Sequence, residues 1–152
     1  MQNRRQMLSH SAALAALLAG AGLLPKAAQA AWAQAAFDAK SMADAVKALG
    51  GSAPAESKDV TITGPDIAEN GAVVPVGAAT GLAGAKRLLL LVEKNPTVLA
   101  GVFDLTDAVE ANINTRVKMA QSSNVYAVAM MADGKVLYAV KEIKVTLGGC
   151  GG

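Results

Sequence analysis

The sequence contains one cysteine and one histidine in 152 residues, and aromatic side chains make up only 3% of it. Each shortage removes a class of chemistry. The histidine, His10, lies in an N-terminal stretch that reads as a removable export signal. Once that stretch has gone, the chain has no imidazole and one thiol. A Ser-His-Asp or Cys-His centre, and a zinc, haem or iron-sulfur site, cannot then be assembled from this chain alone. No cofactor is expected, and the pattern argues against an autonomous enzyme. A basic surface is missing too. The full chain has 14 Lys+Arg against 12 Asp+Glu, but Arg4, Arg5 and Lys26 leave with the signal. The remaining net charge is slightly negative, so nucleic acid and anionic membrane surfaces are not expected partners.

The N-terminal stretch has three parts. Asn3-Arg4-Arg5-Gln6 is basic, Ala12 to Leu24 is apolar, and Ala28-Gln29-Ala30 supplies small residues for cleavage. The apolar part is too short to span a bilayer comfortably. The paired arginines resemble a twin-arginine signal, with Asn3 where Ser or Thr is usual and Met7 where Phe is usual. Residues 1–30 are therefore read as a twin-arginine-type export signal, cleaved after Ala30, with Ala33 as the second choice. The protein is expected in the periplasm.

Beyond the signal, Ser41 is placed to cap a helix, with Asp44 reaching back. Met42, Ala45, Val46 and Leu49 follow at the i, i+3, i+4, i+7 spacing of one buried stripe, and Gly50-Gly51 stops the helix. So short a helix must dock its stripe on its own domain or on a partner. Ser52 to Ser57 reads as a loop.

From Asp59 the hydrophobic period becomes two. Val60 and Ile62 mark one strand, and Asn70-Gly71 marks a turn. Val73 to Ala79 is a second strand, whose Pro75 suits an edge or a bulge better than a central position. Leu88 to Val92 is apolar on both faces and predicts a central strand, covered by an opposing sheet on one side and by the helix or a second protein on the other. Strands also follow at Val98 to Phe103, Ile113 to Met119 and Val125 to Met131, with Met119, Met130 and Met131 filling core gaps. Ala132-Asp133-Gly134-Lys135 is a hairpin signal leading into Val136 to Leu147. In that last strand Val136, Tyr138 and Val140 share one parity while Ile143, Val145 and Leu147 share the other, which predicts a bulge near Lys141-Glu142. The expected fold is all-β, an immunoglobulin-like sandwich of about seven strands with a short N-terminal helix. Residues 31–147 form this domain.

The chain ends in Gly148-Gly149-Cys150-Gly151-Gly152, which places the lone thiol among glycines. Glycines on both sides predict a thin arm without side chains, able to enter a narrow site. Such an arm holds no base, cation or helix N-terminus against the thiol, so Cys150 suits a carrier better than a catalyst. Prenylation does not fit, since only two residues follow the cysteine. An interchain disulfide remains open, because an exposed unpaired cysteine in an exported protein forms one readily.

The run Lys144-Val145-Thr146-Leu147-Gly148-Gly149-Cys150-Gly151-Gly152 resembles the C-terminus of the SoxY family of sulfur carriers in periplasmic thiosulfate oxidation. The similarity continues through Asp66-Ile67-Ala68-Glu69-Asn70-Gly71, Leu91-Val92-Glu93-Lys94-Asn95-Pro96 and Lys118-Met119-Ala120-Gln121. It implies the immunoglobulin-like fold and a carrier subunit without catalytic residues. Cys150 is then the covalent attachment point for sulfur intermediates, and Gly148, Gly149, Gly151 and Gly152 form the arm (residues 148–152). It also implies a heterodimer with a companion of the SoxZ type. The other implied partners are a c-type cytochrome that loads thiosulfate, a hydrolase that releases sulfate, and a sulfur dehydrogenase. The competing class is an exported immunoglobulin-like interaction module whose cysteine staples two chains.

Two further clusters carry alternative chemistry. Asp104, Asp107 and Glu110 fit a general acid and base or a hard-metal site, but more simply a loop with turn-capping side chains. Lys86-Arg87 fits an anion site, or more simply a solvated strand start. Tyr126 and Tyr138 are expected at the core or an interface, with the hydroxyl at the rim.

Overall fold

The computed structural model describes residues 33–146. Two short helices, α1 (Gln34–Phe37) and α2 (Met42–Ala48), precede nine strands among these residues. The strands are β1 (Ala55–Glu56), β2 (Val60–Thr63), β3 (Ile67–Ala68), β4 (Val74–Thr80), β5 (Ala85–Val92), β6 (Leu99–Asp104), β7 (Asn112–Val117), β8 (Ser123–Met131) and β9 (Val136–Val145). A six-stranded sheet runs in the order β1-β9-β8-β5-β6 with β3 also paired to β9, and a three-stranded sheet runs β2-β4-β7. The architecture is the expected all-β, immunoglobulin-like sandwich. Its seven longer strands are those visible in the sequence.

Strand β5 explains the layering. Leu88 to Val92 are all fully buried, and alternate residues enter different cores because successive side chains point to opposite faces. Leu88, Leu90 and Val92 join Val60, Val74, Val76 and Val117 of the opposing sheet. Leu89 and Leu91 join Ala36, Ala45 and Val46 of the helices, together with Val98, Val128 and Met130. Each fully buried leucine contributes on the order of 1.5–3 kcal/mol. The outer face of this run is thus covered by the chain's own helices, and it makes no demand for a second protein.

Helix α2 forms as its sequence predicts. Ser41 is extended, and its hydroxyl oxygen accepts from the Asp44 amide at 3.1 Å and donates to the Asp44 carboxylate at 2.7 Å. Gly50 ends the helix at φ +82°, a conformation that suits glycine. In the β8–β9 hairpin Gly134 adopts φ +85°, and the Met131 amide donates to the Lys135 carbonyl at 2.9 Å.

Three local expectations need correction. The β8–β9 register runs unbroken from Met130↔Val136 to Ser123↔Ile143, so no bulge lies at Lys141-Glu142. The two parities of β9 instead serve two cores. Val136 and Tyr138 lie in the helix-side core, whereas Leu137, Ala139, Ile143 and Val145 lie in the sandwich, and Val140 is exposed. The register shifts fall on β5, between Ala85 and Arg87 and between Leu90 and Leu91. Pro75 stands in β4, the middle strand of its sheet. It is tolerated because β2 pairs only with Gly77 to Thr80, leaving Pro75 opposite Arg116 of β7 alone. The segment read as a loop contains β1, which pairs in parallel with Leu137 and Tyr138. Helix α1 and strand β3 are additions to the expected elements, each too short to carry a hydrophobic period.

Gly51, just after α2, is packed between the helix and the sheet. A Cβ there would stand 2.7 Å from both Val46 Cγ1 and Val136 Cγ2. Gly51→Ala is expected to lower the unfolding free energy by about 1–3 kcal/mol, as overpacking does. Gly81→Ala, where nothing lies within 4 Å, should stay within about 0.5 kcal/mol of wild type. Urea unfolding of both variants checks the contrast, and equal stabilities would contradict the tight contact.

Candidate functional site at the root of the C-terminal tail

Cys150, Gly148, Gly149, Gly151 and Gly152 lie outside the described residues, as does Leu147. The structure does define the strand end from which they continue. On one edge of β9, β3 pairs in parallel with Ile67 opposite Lys144 and Ala68 opposite Val145. The Lys144 amide donates to the Asp66 carbonyl and the Thr146 amide to the Ala68 carbonyl, both at 3.0 Å. On the other edge, the β8 ladder ends at Ser123↔Ile143. There Ser122 replaces the missing ladder, its hydroxyl oxygen accepting from the Val145 amide at 2.9 Å and donating to the Val145 carbonyl at 3.4 Å. The end of β9 is therefore held on both edges.

Three stretches that are distant in sequence converge here. Asn95, on the turn after β5, donates from Nδ2 to the Lys118 carbonyl at 2.6 Å and accepts at Oδ1 from the Ala120 amide at 3.2 Å. One side chain thus ties 94–96 to 118–120, the span just before Ser122. The neighbouring Lys94 amide donates to Ser123 Oγ at 3.0 Å, and Ser123 is the buried polar residue of this region. The third stretch enters through Gly71, whose carbonyl accepts from the Met119 amide at 2.7 Å. A Cβ on Gly71 would stand 2.5 Å from the Met119 carbonyl oxygen and 2.9 Å from Val145 Cγ1. Backbone cannot move aside cheaply, so glycine is required for this close approach. The Asn70-Gly71 turn itself forms as expected, with Asn70 Oδ1 accepting from the Ala72 amide at 2.9 Å.

Charge and apolar exposure surround the root. Lys141 Nζ lies 2.6 Å from the Asp66 carboxylate, and this hydrogen bond together with the ammonium charge holds the Asp66 carboxyl below the ordinary aspartate range. Ile67 and Val73 are exposed by 57% and 49%, respectively. On the outer sheet face, Tyr126 and Tyr138 meet edge to face at 5.9 Å, and the Tyr126 hydroxyl donates to Glu93 at 3.3 Å. Partial burial, and then the Glu93 carboxylate, push the Tyr126 phenol above its ordinary value. Both rings are half-buried, and the Tyr126 hydroxyl meets the exposed Glu93.

The two alternative clusters sit at the opposite end of the sandwich and pair with each other. Arg87 Nε lies 2.6 Å from Asp104 and Lys86 Nζ lies 3.3 Å from Asp107. Among the described residues, no group of three or more His, Cys, Asp or Glu is arranged to hold a metal ion. Each cation of the candidate anion site thus already faces a carboxylate. An open cavity of about 620 Å³ at the same end is lined mainly by small residues, with Leu82, Leu105 and Val109. Sequence reasoning missed Ser122 and β3, since neither a single serine nor a two-residue bridge has a periodic signature.

A family model described as "Sulfur oxidation protein SoxY" matches residues 45–150. The chain belongs to the SoxY family. Among solved structures, the sulfur carrier protein SoxY from Chlorobium limicola f thiosulfatophilum is 36% identical, with a TM-score of 0.62 over 68% of this chain and 94% of that one. A variant of the superoxide reductase (neelaredoxin) from Ignicoccus hospitalis is 21% identical, with a TM-score of 0.51 over 57% of this chain and 79% of that one. It shares the sandwich fold and nothing further is taken from it. A comparison with curated protein sequences returns no match. The SoxY match spans every segment that converges on the end of β9.

The Asp66–Lys141 pair generates a pH prediction. A carboxyl whose folded value lies below its unfolded one stabilises the fold above the ordinary aspartate range, and that contribution is lost as pH falls through the folded value. The pair is exposed and its effect should shrink with added salt. In an NMR titration Asp66 is expected to titrate below the ordinary aspartate range, and Lys141→Met should raise it into that range. An unchanged Asp66 in that variant would contradict the assignment.

Proposed function

We propose that this SoxY-family chain is a covalent sulfur carrier, with Cys150 as the attachment point and Gly148, Gly149, Gly151 and Gly152 as its arm. The observation that supports the reading is the two-edged hold on the end of β9, which reaches to Thr146, four residues before the only thiol in the sequence. At roughly 3.3–3.6 Å per residue, Cys150 can reach about 14 Å from that fixed point. A reach of that order takes a thiol away from the domain surface and into another protein's site. Nothing in the glycine tail activates the thiol, so activation comes from whichever enzyme receives it.

The implied chemistry balances simply. Joining the Cys150 thiol to the terminal sulfur of thiosulfate forms an S–S bond, releases one proton and removes two electrons. An electron acceptor must take them, which fits a c-type cytochrome as the loading partner. Hydrolysis of the resulting S–SO₃ group releases sulfate and leaves a sulfane sulfur on Cys150, which a sulfur dehydrogenase would oxidise further. The chain itself performs none of these steps.

The reading extends to processing and assembly. Residues 1–30 act as a twin-arginine-type signal, residues 31–147 form the carrier domain and residues 148–152 form the arm in the periplasm. Cleavage after Ala30 keeps Ala33, whose carbonyl accepts from the Ala36 and Phe37 amides at 2.9 and 3.2 Å. Cleavage after Ala33 would strip this acceptor from the folded chain. A SoxZ-like companion completes a heterodimer, and the exposed Ile67 and Val73 offer it apolar surface.

Cys150→Ser is expected to fold with unchanged stability and to abolish thiosulfate-dependent turnover, because a hydroxyl is a far poorer nucleophile toward sulfur. Gly149→Val is expected to reduce turnover severely while interchain disulfide formation stays intact, since valine stiffens the backbone beside the sulfur. Thiosulfate-dependent cytochrome reduction and non-reducing electrophoresis measure the pair. Turnover that survives Cys150→Ser would overturn the carrier reading.

A further inference from the structure

Ser122 occupies the one place where the β8–β9 ladder could have continued and does not. The last paired residues are Ser123 and Ile143, and without a substitute for the ladder Val145 would have a single neighbour, β3. Instead the Ser122 hydroxyl makes two bonds to Val145, accepting from its amide at 2.9 Å and donating to its carbonyl at 3.4 Å. The serine is itself fixed from behind. Asn95 holds Lys118 and Ala120 through both ends of its amide, and Met119 is fully buried with its amide on the Gly71 carbonyl. The latch therefore hangs from a rigid loop.

We infer that Ser122 is a positioning residue for sulfur transfer, which fixes the direction in which the chain leaves the sandwich. The inference rests on the carrier reading and deepens it. With Ser122 in place, β9 is gripped on both edges at Val145, as strands are inside a sheet. Without the hydroxyl, the β3 bonds remain on one edge only, and the strand end can twist about them. Each receiving enzyme must then capture the tail from a broader set of starting directions. When only a fraction of a population is competent to bind, apparent affinity falls by that fraction while the bound complex is unaltered. The expected signature is a raised KM for the carrier with kcat nearly unchanged. A residue important only for folding would instead change the amount of active protein, and so kcat.

The test compares Ser122→Thr with Ser122→Val, which have the same shape and differ in the hydroxyl, so that any general repacking affects both. Ser122 is half-buried, and both replacement side chains are branched at Cβ. In thiosulfate-dependent cytochrome reduction by the pathway enzymes of the host, the valine variant is expected to show a KM for the carrier about 3- to 10-fold above the threonine variant, the range for one net hydrogen bond. Their kcat values should agree within about twofold, and Cys150 in both should react with a small aromatic disulfide at the same rate, because a small reagent needs no direction. Equal KM values would overturn the inference, as would a difference confined to kcat. Cys150→Ser runs alongside. If it retains turnover the carrier reading itself has failed, whereas equal Thr and Val variants with an inactive Cys150→Ser remove only the latch.

Discussion

Strand β5 carries the constraint on which the rest of the molecule depends. Leu88 to Val92 have no exposed side, so the sheet that contains them must be covered twice. The three-stranded sheet covers one face and the α1–α2 segment covers the other, giving two hydrophobic cores divided by the six-stranded sheet. The same division runs through β9. Its helix-side parity enters the helix-side core only at Val136 and Tyr138, and beyond them Val140, Glu142 and Lys144 are exposed. The small α2 is therefore matched to the area it must cover, and Gly51 lets the chain descend onto the sheet without separating the layers.

The two ends of the sandwich have different chemical character. At the far end, Lys86 and Arg87 face Asp107 and Asp104 in exposed pairs that stabilise little on their own. At the tail end one exposed pair, Asp66–Lys141, is joined by side chains that bond to backbone: Asn95 to Lys118 and Ala120, Ser122 to Val145, and Ser123 to Lys94. Bonds of that kind fix loop and strand-end geometry, because they satisfy amides and carbonyls that no ladder reaches. A carrier needs such an end. On the proposed reading the cargo residue does no chemistry by itself, so what the domain contributes is a defined point of departure and a surface that partners can recognise.

Much of this was legible in the chain. The Ser41 cap, the Met42 to Leu49 stripe, the two-faced Leu88 to Val92 run and the Asp133-Gly134 turn each follow from local rules, and each formed. The bulge predicted in β9 failed for a specific reason. A change of parity within one strand fits a slipped strand facing one core, whereas this strand borders two cores, and a single sequence cannot say which side each parity faces. The convergence at the tail was hidden differently. Asn95, Ser122 and Gly71 act through contacts 23 to 25 positions apart, or through a Cβ that is missing. Their residue types suit any turn. Local rules explain single pieces of 66–71, 91–96 and 118–121, such as the Asn70-Gly71 turn, but only family resemblance groups the three stretches, and the fold supplies the physical reason that they belong together.

The central claim is that Cys150 carries sulfur covalently, and it is tested most directly by intact-protein mass spectrometry of the chain isolated, without reductant, from cells grown on thiosulfate. Adducts with the masses of sulfane, sulfonate or thiosulfonate groups, mapped by fragmentation to Cys150 and removed by a thiol reductant where the bond is S–S, are the expected result. A chain whose Cys150 is found only as the free thiol or as an interchain disulfide would contradict the claim.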